Sequence, residues 1–237
     1  MNQVILEAKC LQKAFGGNHV IDGVDFRLAA AELVALVGPN GAGKTSFLNL
    51  ISGQMRPNAG TITLGSVDVT GLEPKAHKRR QLFRSYQNGG TFAKLTAVQN
   101  VAMAGLVRDM DRRSAEAKAA EALKRVGLGP VADWPAERLS GGQRKLIDFA
   151  RLLLAKPTVA LLDEPTAGVN PAIMEVMHSI IAEMRDAGTG FIVISHDLPW
   201  VFGLCQRVVV LAAGKVLTMG SPAEISADPR VREAYLA

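Results

Sequence analysis

One short segment limits the fold of this chain more than any other. Residues 38–45 read GPNGAGKT, preceded by the apolar run LVALV (Leu33–Val37) and followed by a helical pattern, SFLNLISG. A buried strand, a glycine-rich loop and a helix in that order form a cradle for a polyphosphate, because the loop can turn successive backbone N–H groups inward. Gly41 and Gly43 supply the backbone freedom, Lys44 brings a charge to the outer phosphates, and the Thr45 hydroxyl suits a bound Mg²⁺. The helix that starts here adds its positive end. Read alone, the same residues also describe a tight turn that caps a helix.

The rest of the chain is consistent with such a loop. Apolar β-rich runs recur at Val4–Leu6, Leu33–Val37, Thr61–Leu64, Val159–Leu162, Phe191–Ile194 and Val208–Leu211, with helical patterns between several of them. This alternation predicts an α/β fold with a mostly parallel sheet whose strands are covered on both faces. HVIDGVDFRL and GTITLGSVDVTG alternate less cleanly, with Gly and Asp punctuation, and predict an antiparallel patch near the N-terminus. From about 95 to 155 there is no convincing strand, and the Ala-rich AEAKAAEALKRVGL predicts amphipathic helices ending near Gly127 or Gly129. We take about 88–155 as a helical subdomain inserted into one domain spanning 1–237.

Composition narrows the setting. Of 237 residues, 48% are hydrophobic and 21% charged, which excludes a disordered chain. The net charge of +5 is mild and selects no partner class. The two cysteines, Cys10 and Cys205, make neither a disulfide framework nor a metal motif. No secretory signal opens the chain, and no apolar run approaches the length of a membrane span.

Two further segments carry chemistry. VALLDEP (Val159–Pro165) is a buried strand ending in two carboxylates, which points them out of the sheet edge where ligands sit in open α/β folds. There Asp163 can hold Mg²⁺ through water, and Glu164 can polarise a water attacking the terminal phosphate. LSGGQ (Leu139, Ser140, Gly141, Gly142, Gln143) opens the helical pattern RKLIDFARLLLAKP. Ser140 and Gln143 form a capping box, which only starts a helix well. The two glycines are surplus to that task and leave the helix end bare enough for a second anion.

With GPNGAGKT, LSGGQ and LLDEP in this order, the chain resembles the ATPase subunits of ATP-binding-cassette transporters, from Val4 to about the C-terminus. The resemblance implies a P-loop NTPase core with an N-terminal antiparallel subdomain and an inserted helical subdomain. It implies that ATP is bound through Gly38, Pro39, Asn40, Gly41, Ala42, Gly43, Lys44, Thr45 and Ser46, with Phe15 stacked on adenine and Val20 beside it. It implies Mg²⁺ at Thr45, Asp163 and Gln87, and catalysis by Glu164, His196 and Gln87. Asn170 falls in the loop that crosses a dimer interface in the family. Two subunits would pack head to tail, so that Leu139–Gln143 of one reach the ATP held by the other.

FGGNHVIDGVDF, DEPTAGVNP and the ending GSPAEISADPRVREAYLA are similar to the branched-chain amino-acid importers of that family. Urea importers and the lipopolysaccharide-export ATPase belong to the same clade. LSGGQ where importers often show LSYGQ, and Asn88–Thr91 after Gln87, depart from the importer pattern. The implied setting is the cytoplasmic face of the cell membrane, with integral permease subunits, a second ATPase subunit and, indirectly, a solute-binding protein. No nucleic acid is expected, although a soluble ATPase acting on ribosomes or DNA, or a nucleotide-binding regulator without turnover, would share these motifs. The run KAHKRR (Lys75–Arg80) reads as a solvated helix face, Trp134 and Trp200 as packing residues, and Met174, Met177, Ile180 and Ile181 as a buried helix face.

Overall fold

The computed structural model describes residues 3–79, 82–85 and 90–236. Two sheets organise them. β1 (Val4–Phe15), β2 (Asn18–Ala29), β4 (Ala59–Leu64) and β5 (Val67–Asp68) form an antiparallel sheet in the order β2-β1-β4-β5. The second sheet has the order β10-β9-β3-β8-β7-β6. In it β3 (Leu33–Val37), β6 (Leu82–Arg84), β7 (Val159–Asp163), β8 (Gly190–Ile194) and β9 (Arg207–Ala212) run parallel, and β10 (Lys215–Gly220) closes one edge antiparallel to β9.

The apolar runs explain the layering. Every residue of β3, β7 and β8 is buried, because both faces of the parallel sheet are covered. Alternate residues serve different cores. Val34 and Leu36 face a core shared with β1, β2, β4 and α1 (Lys44–Ile51), where Phe26 and Phe47 meet edge to face with ring centroids 5.2 Å apart. Leu33, Ala35 and Val37 face the other core, built from α3 (Ala97–Leu106), α4 (Arg112–Arg125), α5 (Gly141–Ala155) and α6 (Pro171–Asp186). The remaining helices are short: α2 (Pro74–Arg79), α7 (Leu198–Phe202), α8 (Pro222–Ala227) and α9 (Pro229–Leu236).

Local chemistry sets the helix ends. α3 begins with a capping box of Thr96 and Gln99, and α4 with Asp111 accepting from the Ser114 N–H. α4 ends at Arg125, with Gly127 at φ +78 just beyond, as the Gly127 stop signal predicts. Between Leu95 and Ala155 the helices α3, α4 and α5 pack on one another, with Ala115, Ala119 and Leu123 of α4 buried in their shared core.

Several expectations need correction. β6 and β10 were not among the expected strands. The basic run at 75–80 is not wholly a solvated face, because His77 within it is buried. Trp134 is 49% exposed rather than packed. Met177, Ile180 and Ile181 line the core, whereas Met174 is only half-buried.

Candidate functional site

The site lies at the carboxyl ends of β3, β7 and β8. The chain leaves β3 at Val37 and enters a loop in which Gly38, Gly41 and Gly43 have φ of +146°, +79° and +99°. Two of these glycines are also forced by close packing. A Cβ on Gly38 would sit 2.0 Å from the Leu211 carbonyl oxygen, and one on Gly43 would sit 2.4 Å from that of Val20. Gly41 has open space and is required only for its backbone angle.

α1 then starts at Lys44 with Gly43 as N-cap and no side chain capping it. Its first N–H groups are therefore left for a ligand. Its first turn holds no acidic residue of its own. Lys44 Nζ folds back onto the loop, donating to the Gly38 and Pro39 carbonyls at 2.7 and 2.9 Å. Burial pushes its pKa down, and the nearby Glu164 and Asp163 carboxylates oppose that shift.

A cavity of about 310 Å³ gathers most of the expected residues. It is lined by Val20, Asn40 to Ser46, Asp163, Glu164, Ile194 and His196, and so spans all three strand ends. Phe15 is absent from this lining. It stands 54% exposed at the end of β1, with Lys13 Nζ 5.0 Å from its ring centre. Gln87 lies outside the described residues.

The two carboxylates differ. Asp163 ends β7, its N–H donates to Ser85 Oγ, and it pairs with Arg84 at 3.6 Å. Burial raises its pKa, Glu164 adds to the rise, and Arg84 and Lys44 act against it. A cation or a phosphate-bound metal in the cavity would favour its ionised form. Glu164 follows in the left-handed region, at φ +50°. For a residue with a side chain this is strained, and such strain gathers at functional sites. Its N–H donates to Ile194 O at 3.0 Å, which ties β7 to β8. Its Oε2 accepts from the His196 N–H at 3.2 Å. Oε1 is buried without a hydrogen bond among the described residues, with His196 Nε2 3.3 Å away. An unsatisfied carboxylate oxygen on a cavity wall is placed to accept a proton from water.

Among the described residues no cluster of three or more His, Cys, Asp or Glu could hold a metal alone. The donors fit Mg²⁺ of the kind bound by one or two side chains and substrate phosphates, with the Thr45 hydroxyl and Asp163 available.

LSGGQ is elsewhere. Ser140 caps α5, its Oγ accepting from the Gln143 N–H at 3.2 Å while Gln143 Oε1 accepts from the Ser140 N–H at 2.9 Å. The capping box is thus formed, and the two glycines separate. A Cβ on Gly142 would meet Ile173 Cδ1 at 2.8 Å, whereas a Cβ on Gly141 would meet nothing. Nothing among the described residues explains Gly141. Asn170 caps α6, its Oδ1 accepting from the Ile173 N–H.

Two contacts escaped the sequence reading. Tyr235 Oη in α9 accepts from the Gly38 N–H at 2.9 Å, linking the C-terminal helix to the phosphate loop. Lys145 Nζ, from α5, donates to the Glu164 carbonyl at 2.8 Å. No local pattern signals either one, since each joins elements far apart in sequence.

Comparison with known proteins agrees with this geometry. Residues 21–167 match the family model described as ABC transporter, and residues 215–236 match one described as branched-chain amino acid ATP-binding cassette transporter. The chain is 34% identical over 252 residues to the high-affinity branched-chain amino acid transport ATP-binding protein LivG of Salmonella typhimurium, covering 100% of this chain and 99% of LivG. It is also 34% identical over 234 residues to the lipopolysaccharide export system ATP-binding protein LptB of Acidithiobacillus ferridurans, covering 98% and 96%. The ADP conformation of MJ1267, an ATP-binding cassette of an ABC transporter, superposes with a TM-score of 0.88 at 25% identity over the full length of both chains. A full-length match of this kind, on a chain whose phosphate loop, acidic strand end and histidine line one cavity, shows that the protein belongs to the ATPase family of the ABC transporters.

Proposed function

We propose that this ABC ATPase binds Mg-ATP at the cavity of β3, β7 and β8 and powers the uptake of branched-chain amino acids through a membrane permease. The match of residues 215–236 to the branched-chain model carries the choice of cargo, because it lies outside the ATPase motifs common to the family. In this reading the bare N–H groups of α1 and Lys44 hold the phosphates. Thr45, Asp163 and Gln87 would hold Mg²⁺, which would supply positive charge against the phosphates. Glu164 takes the proton of the attacking water through its unsatisfied Oε1, and His196 orients at the terminal phosphate. Phosphoryl transfer of this kind is positioning plus charge stabilisation.

Two subunits work head to tail. Leu139, Ser140, Gly141, Gly142 and Gln143 of one approach the ATP of the other, and the open space at Gly141 supports this. Phe15, exposed at the edge, stacks on the adenine. The helical subdomain, about 88–155, carries LSGGQ and, with Phe83 of β6, lines a groove of about 510 Å³ through Gly90, Phe92, Met103 and Val107, which suits a helix of the permease. Among the described residues no helix is long and apolar enough to cross a membrane, so the chain would sit at the cytoplasmic face through that partner.

The test is a mild-detergent capture of the tagged chain from its own cells, read by mass spectrometry. Two multi-spanning proteins and a second ATPase, with a co-encoded solute-binding protein that binds leucine, isoleucine or valine, are the expected result. Lipopolysaccharide-export components would move the chain to that branch, which the similarity to LptB makes the second reading. Ribosomal proteins, or no membrane protein, would overturn the transport reading.

A further inference from the structure

We infer that Lys145 is a positioning residue for Glu164, acting through the Glu164 backbone carbonyl. This rests on the role of Glu164 given above.

The argument starts from strain. Glu164 is held at φ +50°, a conformation that is strained for a residue with a Cβ and persists only where surrounding contacts over-determine it. Three contacts fix this peptide. The Glu164 N–H is held by Ile194 O at 3.0 Å. The carbonyl accepts from Lys145 Nζ at 2.8 Å, and more weakly from the Ala167 N–H at 3.4 Å. Of the two donors to that carbonyl, only Lys145 is charged and at full hydrogen-bond distance. Charge-assisted bonds are about twice as strong as neutral ones.

The source of the lysine matters. Lys145 sits in the second turn of α5, the helix that Ser140 and Gly141 begin. One turn on, Asp148 pairs with Arg151 at 2.8 Å, and Arg151 donates to the carbonyls of Asn100 and Gly90 at 3.0 Å each. The same rigid helix therefore touches the Glu164 peptide, the groove-lining segment at Gly90 and, at its start, the bare glycine. A small rotation of α5 would pull on the Glu164 carbonyl and so move the Glu164 side chain relative to the cavity. Lys145 is the only side chain of α5 with a hydrogen bond to the Glu164–Pro165 segment among the described residues.

The experiment compares purified full-length Lys145→Met and Lys145→Arg with the unaltered chain and with Glu164→Gln, using Mg-ATP hydrolysis, equilibrium binding of a fluorescent ATP analogue, and thermal melting. Lys145→Met is expected to lower kcat about tenfold while KM and analogue affinity stay within about twofold. Lys145→Arg should recover most of the rate. Adding Lys145→Met to Glu164→Gln should lower the residual rate no further, because the positioned group is already gone. An unchanged kcat in Lys145→Met, or an equal further loss in the double variant, overturns the proposal. If Lys145→Met melts early, the Arg variant decides: a rate as low as that of Met at a normal melting temperature overturns it, and recovery upholds it. Full turnover in Glu164→Gln would instead break the reading of Glu164 itself, a separate failure.

Discussion

The phosphate loop and the start of α5 are both glycine-rich helix N-termini, yet the chain treats them oppositely. The loop is built inward. Gly38 and Gly43 are locked by the Leu211 and Val20 carbonyls, α1 has no side-chain cap, and Lys44, Asp163, Glu164 and His196 converge on one cavity. The start of α5 is built outward. Ser140 and Gln143 already satisfy each other's backbone N–H groups, and Gly141 faces open space with no group of its own chain to meet. One helix end gathers groups of its own chain around a cavity, whereas at the other a Cβ on Gly141 would meet no atom of the described residues.

That contrast can be broken by mutation. The largest effect belongs to the loop side. Glu164→Gln removes the proton acceptor and leaves the phosphate cradle intact. Turnover should fall about 10²–10³-fold while ATP affinity is kept, and with Mg-ATP the variant should elute as a dimer in size exclusion. A variant that stays monomeric with ATP would show that the two helix ends never meet. Lys44→Ala comes next. It removes one charge from the cradle, and ATP binding measured by titration should weaken about 10–100-fold even for the monomer. Unchanged affinity would mean that the backbone alone holds the phosphates.

Gly141→Trp sharpens the comparison from the other side. A Cβ at Gly141 would meet nothing within 4 Å, and Gly141 does not need a left-handed backbone, so melting temperature and monomer ATP affinity should hardly change. Placed in the Glu164→Gln background, it should weaken the ATP-dependent dimer about tenfold or more, because the proposed head-to-tail packing brings a second subunit's nucleotide against that surface. The same substitution at Gly142 would be uninformative, since it would collide with Ile173 inside the chain.

The two ends also differ in how legible they were. Most of what is local to the phosphate loop reads directly from residues 33–51: an apolar strand, Gly41 and Gly43 where the backbone needs positive φ, and a lysine at the start of the helix, whereas the positive φ of Gly38 does not. β7 and β8 were equally plain, because burial on both faces leaves an unbroken apolar run. β6 was not. Its three residues, Leu82–Arg84, follow a basic run and carry an arginine that turns inward to Asp163, so no periodicity marks a strand whose only reason is the β7 edge it pairs with. β10 hides in KVLTMG because an edge strand need not be apolar throughout. The bonds of Lys145 to Glu164 and Tyr235 to Gly38 span 19 and 197 positions, and their partners are backbone atoms, which no sequence pattern singles out.

The smallest predicted effect tests whether the loop side is also the side that acid loosens first. His77 is buried near the C-terminal end of α1, so close that a Cβ on Gly53 would lie 2.7 Å from its ring. Neither ring nitrogen has a hydrogen bond of ordinary geometry among the described residues. Burial pushes its pKa below 6.5, and the backbone near Ile51, Leu72 and Val69 opposes this only in part. The unfolded chain therefore takes up a proton that the folded chain resists. The contribution of His77 is whole above pH 6.5 and shrinks as pH falls from there toward its lower folded value, with a slope of at most about 1.4 kcal/mol per pH unit. Asp148 and Asp163 act the other way, since burial raises both above the carboxylate value of 3.8, so the isolating measurement is a difference. His77→Gln should lose less stability than the unaltered chain between pH 7 and 5.5. Hydrogen exchange at pH 5.5 should open the α1–α2 side before α5, and equal opening of both would mean that acid does not distinguish the two ends.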